Sequence, residues 1–159
     1  MPTDQTPVAE VTVPRLAPSP LQPTMFNAEG VAAIPQELRQ CKQWVIWRFE
    51  TREGQPTKVP YQPDRVTQRA STTNPRTWAS FSEAVRAWKS DPDRFAGIGF
   101  VFAADDPFVG IDLDDAIDKT TGQMDASALA IAQGFGGAYF EVSPSGGGMK
   151  IVTRGKLPG

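Results

Sequence analysis

Phe108-Val-Gly-Ile-Asp112-Leu-Asp114-Asp115 is the stretch around which the chain is read. Four residues, three of them apolar, lead into an Asp-x-Asp. Alternate side chains of a β-strand share a face. Asp112 and Asp114 are therefore expected to project together, with Ile111 and Leu113 on the opposite side. Neighbouring carboxylates repel, and a fold tolerates them when a hard divalent cation lies between them or when water solvates both. The octapeptide alone leaves both readings open.

Composition narrows the chemistry. The 159 residues suit a single domain with a real core, 40% hydrophobic and 21% charged. No run approaches the ~20 apolar residues of a membrane-spanning helix, and no charged-then-apolar leader opens the sequence. One cysteine, Cys41, excludes an internal disulfide framework and a cysteine-cluster zinc site. It is expected to be a buried thiol in a reducing compartment, the cytoplasm. The absence of histidine removes histidine-based triads and histidine-ligated metals. Any metal must then be held by oxygen, which favours Mg²⁺ or Mn²⁺. The net charge of −2 conceals a pattern. Residues 37–90 hold ten Lys/Arg against five Asp/Glu, residues 91–141 two against ten, and residues 142–159 three against none. An acidic centre between basic flanks suits a metal site that handles polyanions, although scattered solvated charge gives the same balance.

Along the chain, residues 1–24 carry six of the fifteen prolines and read as a disordered tail. The domain is expected over 25–159. Pro35 suits the first turn of a short helix ending at Gln40. Gln43 to Glu50 is aromatic and β-branched, hence a strand. Glu53-Gly54 is a turn, and Lys58 to Tyr61 a short return strand. Residues 62–76 read as a polar, basic loop. Ser80 and Glu83 form a capping box before a helix whose apolar face is Phe81, Ala84, Val85 and Trp88. Gly97 to Phe102 reads as a strand forming a hairpin with Phe108 to Asp112 through Asp105-Asp-Pro107. Asp118 to Gly122 is a turn, and Asp125 caps a helix from Ala126 to Gln133. Ala138 to Val142 and Lys150 to Arg154 are strands. The fold class expected is α+β, a mostly antiparallel sheet with packed helices.

Two further constellations bear on function. Ser143-Pro-Ser145-Gly146-Gly-Gly148 joins the last two strands. Consecutive glycines can present backbone N–H groups as an anion nest, Ser143 and Ser145 add hydroxyls, and Lys150 adds a permanent charge. It is no Walker A loop, which ends Gly-Lys-Ser/Thr before a helix, and a flexible connection is the plainer reading. The basic stretch from Arg48 to Arg76 contains Lys58, beside Trp44 and Trp47, as a candidate phosphate contact. Trp44, Trp47 and Tyr61 are candidates for stacking on bases, though core packing explains them more simply.

The order of these pieces is more specific than any one of them. Ile34-Pro-x-Glu-Leu38, Gln43-Trp-Val-x-Trp-Arg48, Lys58-Val-Pro-Tyr61, Ala70-Ser-Thr-x-Asn-Pro-x-Thr-Trp78, Gly97-Ile-Gly-Phe-Val-Phe102, Asp106 to Asp114, Glu141-Val-Ser-Pro-Ser-Gly146 and Arg154-Gly-Lys-Leu-Pro158 follow one another. From Ile34 to Gly159 the chain resembles the N-terminal primase–polymerase (prim-pol) domain of phage and plasmid replication proteins, of the archaeo-eukaryotic primase superfamily. The resemblance implies that Asp112 and Asp114 are catalytic and ligate Mg²⁺ or Mn²⁺. It implies that Ser143, Ser145 and Gly146 form the nucleotide-binding turn, with Lys150 where the family has a phosphate-contacting histidine. The family's third motif, a further carboxylate on a later strand, has no counterpart before Gly159, so the domain is expected to be its N-terminal part, truncated. The implied role is primer or DNA synthesis from nucleoside triphosphates on a DNA template, beside a helicase domain or protein and away from membranes. The alternative is a non-catalytic, truncated prim-pol module that binds nucleotide or single-stranded DNA.

Overall fold

Nine residues from Trp44 to Arg52 form β1, and its first four side chains are buried on both faces, which marks a central strand. In the computed structural model, which describes residues 28–135 and 138–156, β1 lies between two antiparallel partners. β2 (Gln55–Gln62) returns through a two-residue turn at Glu53-Gly54, both at positive φ, as a tightly twisted hairpin requires. β3 (Arg65–Arg69) follows on the outer edge, and β4 (Gly97–Phe100) flanks the other side. This first sheet has the order β3-β2-β1-β4. A second, three-stranded sheet has the order β5-β7-β6, from β5 (Phe108–Leu113), β6 (Tyr139–Val142) and β7 (Met149–Arg154). The α+β class and antiparallel pairing therefore hold, with the strands divided between two sheets.

Helices cover these sheets. α1 (Ala28–Ala33) and α2 (Gln36–Arg39) precede β1, with Pro35 at the N-cap of α2. α3 (Phe81–Ser90) starts at the expected capping box, in which Ser80 and Glu83 satisfy each other's backbone N–H groups. Its buried residues, Ala84 and Trp88, enter a core with Ile34, Leu38, Trp44, Ile46, Val59, Tyr61, Phe95 and Ile98. Phe108 and Val152 of the second sheet join the same core. α4 (Ala126–Gln133), capped by Asp125, closes the opposite face of that sheet through Ala128, Met149, Ile151 and Ala116. No helix among the described residues is long and apolar enough to cross a membrane.

The structure corrects several expectations. Residues 62–76 contain β3 and a 3-10 turn at Pro75–Thr77 rather than loop alone. In β3 the inward Val66 is packed partly against the core, while its neighbours are exposed. A solvated edge strand has a loop's polar composition. Nor do β4 and β5 form a hairpin. The Asp106 carboxylate accepts hydrogen bonds from Ala103 N, Phe108 N and Gln43 Nε2 at 2.7–2.8 Å. A side chain thus closes this turn where a ladder was expected, and the two strands enter different sheets. Cys41 is half-buried, its thiol donating to Glu37 O at 3.4 Å. The proline-rich reading of residues 1–24 lies outside the described residues, as does Leu157-Pro158.

Candidate functional site

The β6–β7 hairpin is symmetric about the Ser-Pro-Ser-Gly loop, and that symmetry builds the site. Glu141 pairs with Lys150, and Lys150 pairs on its other side with Asp112. Three charged residues therefore form one row across β5, β7 and β6, on a single face. Lys150 Nζ lies 3.5 Å from Asp112 Oδ1, and the Asp112 side chain is 68% exposed. Two residues back, the same face carries Gly110 and Val152, and beyond them Phe108. Gly110 has no side chain for a reason. A Cβ there would stand 2.7 Å from the Phe102 ring, so the ring lies directly on the strand. One sheet face is thus apolar at the core end and charged at the other.

Lys58 joins this row from the first sheet. It sits opposite Phe49, with its ammonium 4.7 Å from the centre of the Trp47 ring. Burial pushes its pKa down, as does the positive charge of Lys150, while Glu141 and Asp112 pull it back up. Glu141 responds in the opposite sense. Burial raises its pKa, and Lys150, the Tyr139 hydroxyl and Lys58 oppose that shift. The hydroxyl donates to Glu141 Oε2 at 3.2 Å. Tyr139 is itself pushed up, first by burial and then by Glu141. Lys58, Asp112, Glu141 and Lys150 therefore act on one another electrostatically, two cations with two carboxylates.

The loop between β6 and β7 is tightly built. Gly146, at φ +77°, allows its turn, and its N–H donates to Ser143 O at 2.8 Å. Gly148 N donates to Ser143 Oγ at 3.0 Å, Gly147 N to Ser145 Oγ at 3.4 Å, and the two hydroxyl oxygens are 2.9 Å apart. The glycine N–H groups, which could have formed an outward-facing nest, are engaged inside the loop. The serine hydroxyls are themselves tied into this network. The turn after β5 packs against it: Ile117 N donates to Gly147 O at 3.0 Å, and the Lys119 stem lies over Gly147.

β5 ends at Leu113, so Asp114 falls in the following turn and Asp115 takes a φ of +51°. The strand alternation that would align Asp114 with Asp112 therefore stops one residue short. Among the described residues, no group of three or more acidic, cysteine or histidine side chains gathers as a metal cage. The donors present, carboxylates on an open strand end, do suit Mg²⁺, which is commonly held by one or two carboxylates and completed by water and phosphate oxygens.

The aromatic candidates are core residues. The Trp44 indole donates to Leu38 O at 3.0 Å and that of Trp47 to Ile98 O at 3.1 Å. Tyr61 is 4% exposed and accepts from Arg48 at 2.7 Å. Arg69 is paired with Glu50 at 2.8 Å. The sequence reading assigned Glu141 no role, although its signal was available. In a hairpin tied at Ser143 and Gly148, residue 141 falls opposite residue 150.

No protein-family model matches the chain. A DNA primase-polymerase of Nitratiruptor phage NrS-1 is 37% identical to it over 123 residues, which is 76% of this chain and 16% of the phage protein. The chain thus spans a small part of that relative's length. An identity of this size, over most of the chain, agrees with the antiparallel α+β architecture and with the ordered motifs around Asp112 and Ser143. On these grounds the chain belongs to the primase–polymerase family.

Proposed function

We propose that this domain binds a nucleoside triphosphate with Mg²⁺ or Mn²⁺ and takes part in DNA-templated nucleotidyl transfer for primer or DNA synthesis. The observation that carries the reading is the charged row: Asp112, Lys150 and Glu141 in register, with Lys58 of the other sheet acting on them electrostatically. Asp112 and Asp114 would hold the metal, with water and phosphate oxygens completing its shell. Bound there, the metal would supply positive charge that offsets the negative charge of the transferring phosphate. The remaining work of phosphoryl transfer is positioning and charge neutralisation. Lys150 and Lys58 would supply positive charge for the phosphates, and the hydrogen-bonded pair Ser143 and Ser145 has one hydroxyl proton to turn towards a phosphate oxygen from the loop stabilised by Gly146. A lysine where relatives use histidine keeps the charge and loses easy proton exchange near neutral pH. The reading therefore gives Lys150 a binding role and assigns it no proton transfer. A DNA template and a helicase domain or protein are the partners proposed with it.

The test is template-directed incorporation of nucleotides by the chain with Mg²⁺ or Mn²⁺, alongside Asp112→Ala and Asp114→Ala. Incorporation that both substitutions abolish supports the reading; incorporation indifferent to them rejects this site. The second reading, a non-catalytic module that binds nucleotide or single-stranded DNA, is favoured by one observation, the lack of a three-carboxylate cage among the described residues. It predicts Mn²⁺-dependent nucleotide binding without incorporation.

A further inference from the structure

Glu141 is a partly buried carboxylate that the proposed chemistry does not use. It stands across β7 from Asp112, with Lys150 between them in register. Among the described residues, the ion pair of Lys150 is with Asp112. That pairing conflicts with the proposed metal site, because Asp112 cannot serve a lysine ammonium and a divalent cation equally. Like charges a few ångströms apart repel strongly in a partly desolvated site. When a cation takes Asp112, Lys150 must turn away. Lys58 acts electrostatically on the same groups, so a second positive charge limits where it can go. The negative group on the other side of Lys150 is Glu141, held by the Tyr139 hydroxyl at 3.2 Å.

We propose that Glu141 is a positioning residue that receives Lys150 when a divalent cation occupies Asp112, so that metal loading and the placement of the phosphate-binding lysine are one coupled event. The inference rests on the functional reading above. It deepens that reading by giving Lys150 two stations on one strand face, Asp112 without metal and Glu141 with it. In the second station Lys150 remains beside the row and next to the Ser143–Gly148 loop, where it can meet a phosphate.

The test measures Mn²⁺ binding by electron paramagnetic resonance, using the full chain without nucleotide. Glu141→Gln keeps an oxygen acceptor for Tyr139 but removes the charge. It is expected to weaken Mn²⁺ binding about tenfold, as loss of a supporting group around a metal site does. Lys150→Met removes the competitor for Asp112 and is expected to bind Mn²⁺ at least as tightly as the parent. In the double variant the effect of Glu141→Gln should vanish, since there is no lysine left to receive. A purely structural role for Glu141 would weaken binding equally in both backgrounds, which would overturn the proposal, as would unchanged binding in Glu141→Gln alone. Asp112→Ala separates the two levels. If it abolishes Mn²⁺ binding while Glu141→Gln is neutral, the coupling is wrong and the site stands. If it leaves binding intact, the site itself is wrong and the coupling falls with it.

Discussion

Glu50 and Glu141 are both strand glutamates set among two cations and a tyrosine, yet their carboxyl groups are shifted in opposite directions. Glu50 on β1 is touched by the Tyr61 hydroxyl, by Arg48 at 2.9 Å and by Arg69 at 2.8 Å. Those contacts, led by the tyrosine hydrogen bond, pull its pKa down to about 2. Glu141 on β6 has one hydroxyl at 3.2 Å and its lysines at longer range, so burial prevails and its pKa rises. The first group is closed around its carboxylate: Arg48 also lies 4.5 Å over the Tyr61 ring, while the Arg69 side chain stays 60% exposed. The second is open, with Asp112 largely exposed and held by one contact at 3.5 Å. A carboxylate already held by two guanidinium groups gains little from a further cation, whereas one held by a single longer contact has more to gain. The contrast sets the proposed site, built on the second sheet with Lys58 contributed by the first, apart from the ion-pair network around Glu50.

The largest effect should come from removing the exposed member of the open group. Asp112→Ala is expected to lower template-directed incorporation by about a hundredfold or more while leaving the thermal midpoint within a degree or two of the parent, because little is packed against Asp112. A large fall in thermal stability would make Asp112 structural and erase the contrast. Lys58→Met comes next. It keeps an unbranched apolar side chain beside Trp47 and removes the ammonium that lies over the ring, so nucleotide binding should weaken about tenfold, the loss of one charge-assisted contact. Unchanged binding in a titration with inorganic triphosphate would show that Lys58 only packs.

Gly110→Ala tests the boundary between the apolar and charged ends of the sheet face. The new methyl group would collide with the Phe102 ring, and overpacking of this kind costs about 1–3 kcal/mol. Urea denaturation should show that loss, and Phe102→Leu should recover part of it. If Gly110→Ala folds with parent stability, the ring is free to move and the row beyond it is less rigidly supported than the register implies.

Much of this was legible in the chain. The capping box at Ser80, the cap at Asp125 and the β-branched run at Trp44 each rest on neighbouring residues, so local pattern suffices. What escaped depended on distant partners. The turn at Asp106 is closed partly by Gln43, 63 residues away, and no local signal separates it from a hairpin turn. β3 escaped because a solvated edge needs just one inward residue, Val66. At the site, Asp112 and Lys150 were legible as chemistry, and their 3.5 Å contact required the β5–β7 register. Glu141 belongs to no recognisable ligand pattern of its own, and hairpin symmetry is what places it beside Lys150.

The smallest effect belongs to the closed group, and it is a matter of pH. Glu50 has a folded pKa of about 2 against an ordinary value of 4.5. Folding therefore favours its ionised form, and its contribution to stability is complete above about pH 4.5 and is lost as pH falls towards 2. Glu50→Gln removes that contribution at every pH. Thermal melts of the parent and the variant should thus differ most near neutral pH, and the gap should narrow through that acid window. Incorporation by Glu50→Gln should match the parent at neutral pH. A gap that stays constant down to pH 2 would mean that Glu50 acts through shape alone. A loss of incorporation at unchanged stability would mean that the Glu50 network also carries function, and that a tightly paired carboxylate is no guide to where the chemistry lies.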